Sequence, residues 1–194
     1  MNLTNKEVIH IVGENIEYIQ FKRLLECKDI IEHAYTLKSK DIYFGPNLSN
    51  KEALTNYKNL CNELKLDVNN LIRPNQNHTD KVQIITKKDT SSIEYNPNYL
   101  KDTDGLITNK NNIIIATTNA DCILFLLFDP INKVIANVHS GWRGTLQEIV
   151  VNTINEMIKE YNSNPKDIIC CICPSIRKCH FEVDSDVKDL FINK

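Results

Sequence analysis

The sequence predicts one α/β domain of mixed topology, a central mixed β-sheet flanked by helices. Three observations predict it. Short apolar, β-rich runs alternate with amphipathic helical stripes, no repeat or linker interrupts the order, and 194 residues are enough to bury one sizeable core. The reading takes residues 1–194 as a single domain.

The elements follow in order. "VIHIV" reads as a short strand, and "ENIEYIQFKRLLE" as a helix from the spacing of Ile16, Ile19 and Leu24. "IIEHAYTL" is a second strand. Ser49 and Glu52 form a capping box ahead of the helix "ALTNYKNLCNEL". "RPNQNHTD" is a polar turn leading into the strand "KVQIIT", and residues 87–103 are loop-like. Four strands come next, "GLIT", "IIIATT", "ILFLLF" and "KVIANVH". Thr145 and Glu148 then make a second capping box, before a stripe running from Leu146 through Ile149, Ile154 and Met157 to Tyr161. "IICCIC" reads as a buried strand and "DSDVKDLF" as the start of a last helix.

Composition excludes several classes. A net charge of −2 leaves no basic footprint for nucleic acid. No apolar run reaches membrane-spanning length, and "MNLTNKEVIHIVGEN" lacks the apolar segment of a signal peptide. The chain is therefore expected in the cytoplasm. Its seven cysteines are then reduced thiols, and an odd count argues against a complete disulfide framework.

The chemistry concentrates in "NADCILFLLFDPINKVIANVHSGWRGT", Asn119 to Thr145. If Asp129 to Asn132 form a four-residue loop, Phe128 faces Lys133 and Cys122 faces His139. Directly opposed side chains have Cβ atoms about 4.5–5.5 Å apart, close enough for a thiolate and an imidazole to share a metal ion. A one-residue slip would put them on opposite faces. Cys and His suit zinc, and His78, in the loop "NQNHTDKV", is the third candidate. Core packing for Cys122 and simple solvation for His78 stand beside that reading. The second cluster, Cys170, Cys171, Cys173, Cys179 and His180, fits no standard zinc spacing and reads as core thiols; strand alternation puts Cys171 and Cys173 on one face. His10, His33 and His180 read as structural.

"ADC" before an apolar strand, followed by "HSGWRGT" heading a helix, resembles the laccase-domain proteins, also called polyphenol oxidase-like proteins, purine nucleoside phosphorylases or peptidoglycan editing factors. The likeness extends to "QNH" with Val82, to "DGLIT" at Asp104–Thr108 and to "CPSIRKCHFEV" at Cys173–Val183, and spans roughly residues 30 to 191. It implies a zinc held by His78, Cys122 and His139, with purine nucleoside and phosphate as partners. Implied activities are phosphorolysis of adenosine, inosine and methylthioadenosine, and deamination of adenosine. A copper-dependent polyphenol oxidase and a non-catalytic metal-binding member are the alternatives. In this reading His78, Cys122, Arg143 and Asp121 carry the chemistry, with Asp121 either a proton shuttle or a strand-end support. Arg143, with the N–H groups at Gly144 and Thr145 opening a helix, would take the phosphate. The chain departs from the family pattern at Leu37, where an arginine is usual, and at Thr79, Cys173 and Arg177, where glycines are usual.

Overall fold

The computed structural model describes residues 2–38, 44, 51–86 and 100–194. In chain order the elements are β1 (Val8–Val12), β2 (Glu17–Phe21), α1 (Lys22–Leu25), β3 (Tyr35–Thr36), α2 (Lys51–Glu63), β4 (Leu71–Ile72), β5 (Val82–Ile84), β6 (Gly105–Thr108), β7 (Ile114–Ile115), β8 (Ile123–Asp129), β9 (Val134–Ser140), α3 (Trp142–Leu146), α4 (Ile149–Tyr161), β10 (Ile169–Ile172) and α5 (Ser185–Ile192). The central sheet runs β10-β8-β9-β6-β5, antiparallel except for the parallel β5–β6 pair. β1, β2 and β3 form a second, antiparallel sheet, and β4 pairs with β7 in parallel. The α/β class with a mixed central sheet is as the sequence predicts. Among the described residues no helix is long and apolar enough to cross a membrane.

Strand alternation divides the core into two layers. Leu127 on β8, and Val134, Ala136 and Val138 on β9, pack with Ile149 and Met157 of α4. Leu124 and Phe128 face the other way, onto Val8, Ile19 and Phe21 of the small sheet. Asn137 and His139 share that second face, because they lie out of phase with Val134, Ala136 and Val138.

Several expectations are corrected. Glu14 to Glu26 is not one helix; Glu17–Phe21 is a strand ending in a single helical turn. Tyr18, Ile19, Gln20 and Phe21 are all buried, so this strand lacks the alternation that would have marked it. The strand read over "IIEHAYTL" shrinks to Tyr35–Thr36. α2 starts with Glu52 in its first turn, while Ser49 and residues 87–99 lie outside the described residues.

The capping box at Thr145 and Glu148 does not form. The helix opens earlier, at Gly141, and breaks at Glu148, which sits in the left-handed region at φ 61° before α4 restarts. The Thr145 hydroxyl pairs instead with Ser140 Oγ at 2.8 Å. β10 is an edge strand rather than a buried one: Cys171 and Cys173 pack inward while Cys170, Ile172 and Cys179 are exposed. Only part of the second cysteine cluster is therefore core thiol.

The hairpin register also shifts. Asp129 stays in β8 opposite Val134, so the loop is Pro130–Lys133 and Leu124 lies opposite His139. The Asp129 carboxylate causes this by accepting from the N–H groups of Ile131 at 2.9 Å and Asn132 at 3.0 Å, an Asx turn begun inside the strand. The displacement is two residues, one full side-chain period, so Cys122 keeps the face that His139 occupies.

Candidate metal centre

Three segments converge at one end of the β8–β9 hairpin. His139 is next to last in β9 and buried, Cys122 immediately precedes β8, and His78 stands exposed on the loop before β5. One donor atom from each lies within 4.8 Å of the others. The two imidazole rings meet edge to face with centroids 4.9 Å apart. Gly141 makes the space: a Cβ there would come within 2.6 Å of His78 Cδ2 and 3.3 Å of Cys122 Sγ. Its φ of −70° is open to any residue, so the requirement is one of room rather than of backbone freedom.

Asp104 organises the centre. It is fully buried just before β6, and its Oδ1 lies 2.8 Å from His139 Nδ1, which leaves Nε2 for the Cys122 side. The same carboxylate accepts from three successive backbone N–H groups, of Asn77 at 3.2 Å, His78 at 3.1 Å and Thr79 at 2.8 Å. The Thr79 hydroxyl adds another bond at 2.8 Å. His78 holds φ 59°, a left-handed conformation costing a non-glycine residue about 1–3 kcal/mol, and the wrapped carboxylate offsets that strain. One acid thus holds the His139 ring, the arrangement that orients imidazole ligands in metal sites, and the backbone of His78. Gln76 ties the His78 loop to the segment entering Cys122, pairing its amide with Thr118 N and Thr118 O at 2.8 Å each.

The electrostatics follow from these contacts. Burial pushes the His139 imidazole down, but hydrogen bonds to Asp104 and Cys122 carry it up to about 9. Partial loss of solvent around its ring, then the neighbouring His139 charge, holds exposed His78 below its ordinary value, and the Arg143 charge acts in the same direction. Burial opposes ionisation of Asp104, yet its bonds from His139, Thr79 and Asn77 hold it below the usual carboxylate range.

The other expected site residues are placed as follows. Asp121 is exposed beside Cys122 and lines the same cavity, its carbonyl accepting from Ile176 N at 3.0 Å. Arg143 is exposed, with its guanidinium carbon 4.1 Å from the centre of the Trp142 ring. Gly144 is buried against the Thr79 carbonyl. Thr145 donates its N–H to Gly141 O at 2.8 Å, so that donor is spent, and α3 has only five residues, too few for a substantial dipole. Asp104 is the site residue that sequence reasoning missed. "DGLIT" marked its position, but its imidazole partner is 35 residues away. His10 and His33 are structural, the first bonded to Glu17 and the second to Phe21 N–H. Exposed His180 has its Nδ1 3.0 Å from Cys179 Sγ.

A cavity of about 930 Å³ opens beside the three donors. His78, Cys122 and His139 line one part of it, and Tyr35, Leu37 and Tyr57 another. The donor set, one cysteine sulfur and two imidazole nitrogens with an oriented ring and space left by Gly141, fits a metal ion of borderline softness such as zinc.

Residues 38–194 match the family described as multi-copper polyphenol oxidoreductase laccase. A Clostridium acetobutylicum protein named purine nucleoside phosphorylase is 34% identical over 178 residues, covering 91% of this chain and 70% of that one. Purine nucleoside phosphorylase YlmD of Bacillus subtilis is 31% identical over 149 residues, 75% of this chain. Purine nucleoside phosphorylase LACC1 of Homo sapiens is 28% identical over 178 residues, 85% of this chain. The chain spans only 53% of YlmD and 39% of LACC1. The crystal structure of Bacillus licheniformis YfiH, 25% identical, superposes with a TM-score of 0.74 over 98% of this chain and 70% of its own. By its matched residues and its fold, the chain belongs to the multi-copper polyphenol oxidoreductase laccase family.

Proposed function

We propose that this chain is a zinc-dependent purine nucleoside enzyme, acting by phosphorolysis on adenosine, inosine or methylthioadenosine and by deamination on adenosine. The carrying observation is the convergence of His78, Cys122 and His139 within 4.8 Å, on the wall of a cavity sized for a small molecule. The names of the relatives support the substrate class.

His78, Cys122 and His139 would hold the ion, which supplies Lewis acidity and an acidified water. Asp104 keeps His139 in the tautomer that presents Nε2, and keeps the His78 loop wrapped beside it. Asp121, exposed next to Cys122 on the cavity lining, would carry a proton between cavity and solvent, with support of the strand end as its other role. Arg143 would be the phosphate contact: it lies outside the cavity lining, its guanidinium over the Trp142 ring, and its charge reaches His78. The Thr145 hydroxyl supports this turn through Ser140. Leu37, on the cavity wall, makes that part apolar and leaves phosphate to Arg143.

The test is to incubate purified protein of known zinc content with adenosine or inosine, with and without phosphate, and to separate the products by chromatography. Adenine or hypoxanthine formed only with phosphate, and inosine formed from adenosine without it, support both activities. No product above a Cys122→Ala control overturns the reading.

One observation favours a second reading. A cysteine with two histidines is also a copper donor set, and the family description names multi-copper oxidation. Among the described residues this is the one such cluster, against the several coppers of a full oxidase. Dioxygen uptake with a phenol, rising with copper content, would select it.

A further inference from the structure

Cys122 is not inside the sheet. It ends a turn, Asn119–Cys122, that enters β8, so its sulfur is only as well placed as that turn. Asn119 closes the turn, its Nδ2 donating to the Cys122 carbonyl at 2.6 Å. The same nitrogen lies 3.4 Å from the Pro174 carbonyl, and Asn119 Oδ1 accepts from the Tyr35 hydroxyl at 3.2 Å. Two carbonyls on one side of the amide and a hydroxyl on the other allow one orientation, since a flip would set oxygen against oxygen. The Tyr35 hydroxyl is also 3.2 Å from Pro174 O. The irregular segment that follows β10 completes the grip, with Cys173 N–H bonded to Leu124 O at 2.9 Å and Ile176 N–H to Asp121 O at 3.0 Å.

We infer that Asn119 is a positioning residue for the metal ligand Cys122, and that Tyr35 sets the direction of its amide; this rests on the metal-binding reading above. Asn119 acts on the peptide of the ligand itself, so rotation there swings the Cα–Cβ–Sγ vector directly. Its partners are 84 and 55 residues away, on the small sheet and beyond β10. The thiolate therefore takes its aim from tertiary contacts and not from the turn alone. Tyr35 and Asn119 both line the cavity, so the clamp stands where a bound ligand touches it.

The experiment compares wild type, Asn119→Ala, Tyr35→Phe and Thr153→Ala. The last removes a hydroxyl bonded inside α4 to Ile149 O and serves as a distant stability control. Zinc Kd is measured by competition with a chelating dye, and the thiolate-to-metal absorption band is recorded after cobalt substitution. Outer contacts of this kind change metal affinity about 10–100-fold, so Asn119→Ala is expected to weaken zinc by that factor and to shift or dim the cobalt band. Tyr35→Phe is expected to do the same more weakly, and it carries the test should the alanine variant not fold. Thr153→Ala is expected to lower stability while leaving Kd and band unchanged. A folded Asn119→Ala, or Tyr35→Phe in its place, with wild-type Kd and band overturns the inference. A wild type with no thiolate band overturns the metal reading and this inference with it.

Discussion

Asp104 Oδ1 and His139 Nδ1 lie 2.8 Å apart, both side chains buried, so one carboxylate decides which nitrogen of the ring faces Cys122. The same acid gathers the N–H groups around His78. Replacing it should disturb two ligands at once. Asp104→Asn is expected to weaken zinc by about 10–100-fold or more, read by dye competition, and to lower the unfolding midpoint because an amide cannot accept from every donor present.

The pH dependence follows from His139. Burial lowers its pKa, but the bonds to Asp104 and Cys122 raise it to about 9, above the ordinary imidazole value of 6.5. A raised imidazole contributes stability that is full below about 6.5 and is lost as pH rises through about 9. Metal-free protein in chelator should therefore show this contribution falling between those values in urea titrations, and His139→Gln should flatten that part of the profile. Zinc affinity should rise over the same window, because the ion must displace the proton.

Gly141→Ala tests the room at the centre. The added methyl would meet His78 Cδ2 at 2.6 Å and Cys122 Sγ at 3.3 Å. A φ of −70° leaves the backbone unstrained, so the loss should fall on the metal and not on the fold. Zinc content after purification should drop well below that of wild type while the far-ultraviolet dichroism spectrum stays the same.

Arg143→Gln tests the proposed phosphate contact. Arg143 is exposed and stacked on Trp142, so its removal should leave zinc content and thermal stability close to wild type. The expected change is a rise in KM for phosphate of about tenfold or more, the size of one lost charge-assisted pair. An unchanged phosphate KM would remove Arg143 from the site.

Leu127→Ala separates the fold from the centre. Leu127 is 1% exposed and packs toward α4, on the face away from His139. The cavity should lower stability by about 2–5 kcal/mol in urea titrations, with zinc stoichiometry retained in the folded fraction.

The sequence by itself determined the α/β class, the strands from Gly105 to Ser140 and the neighbourhood of Cys122 and His139. Those rest on local apolar runs and on the two-residue period of a strand, which keeps the pair on one face even though the register shifts by a whole period. Glu17–Phe21 was misread because it is buried at every position from Tyr18 to Phe21 and so carries no alternation. The split at Glu148 was hidden because α4 keeps an apolar stripe in phase with the turn before it. Only the tertiary structure decided that Asp104 reaches across to His139 and His78, that Gly141 leaves room for them, and that Tyr35 and Pro174 hold Asn119 against Cys122. These are hydrogen bonds and clearances between segments remote in the chain, and no local periodicity encodes them.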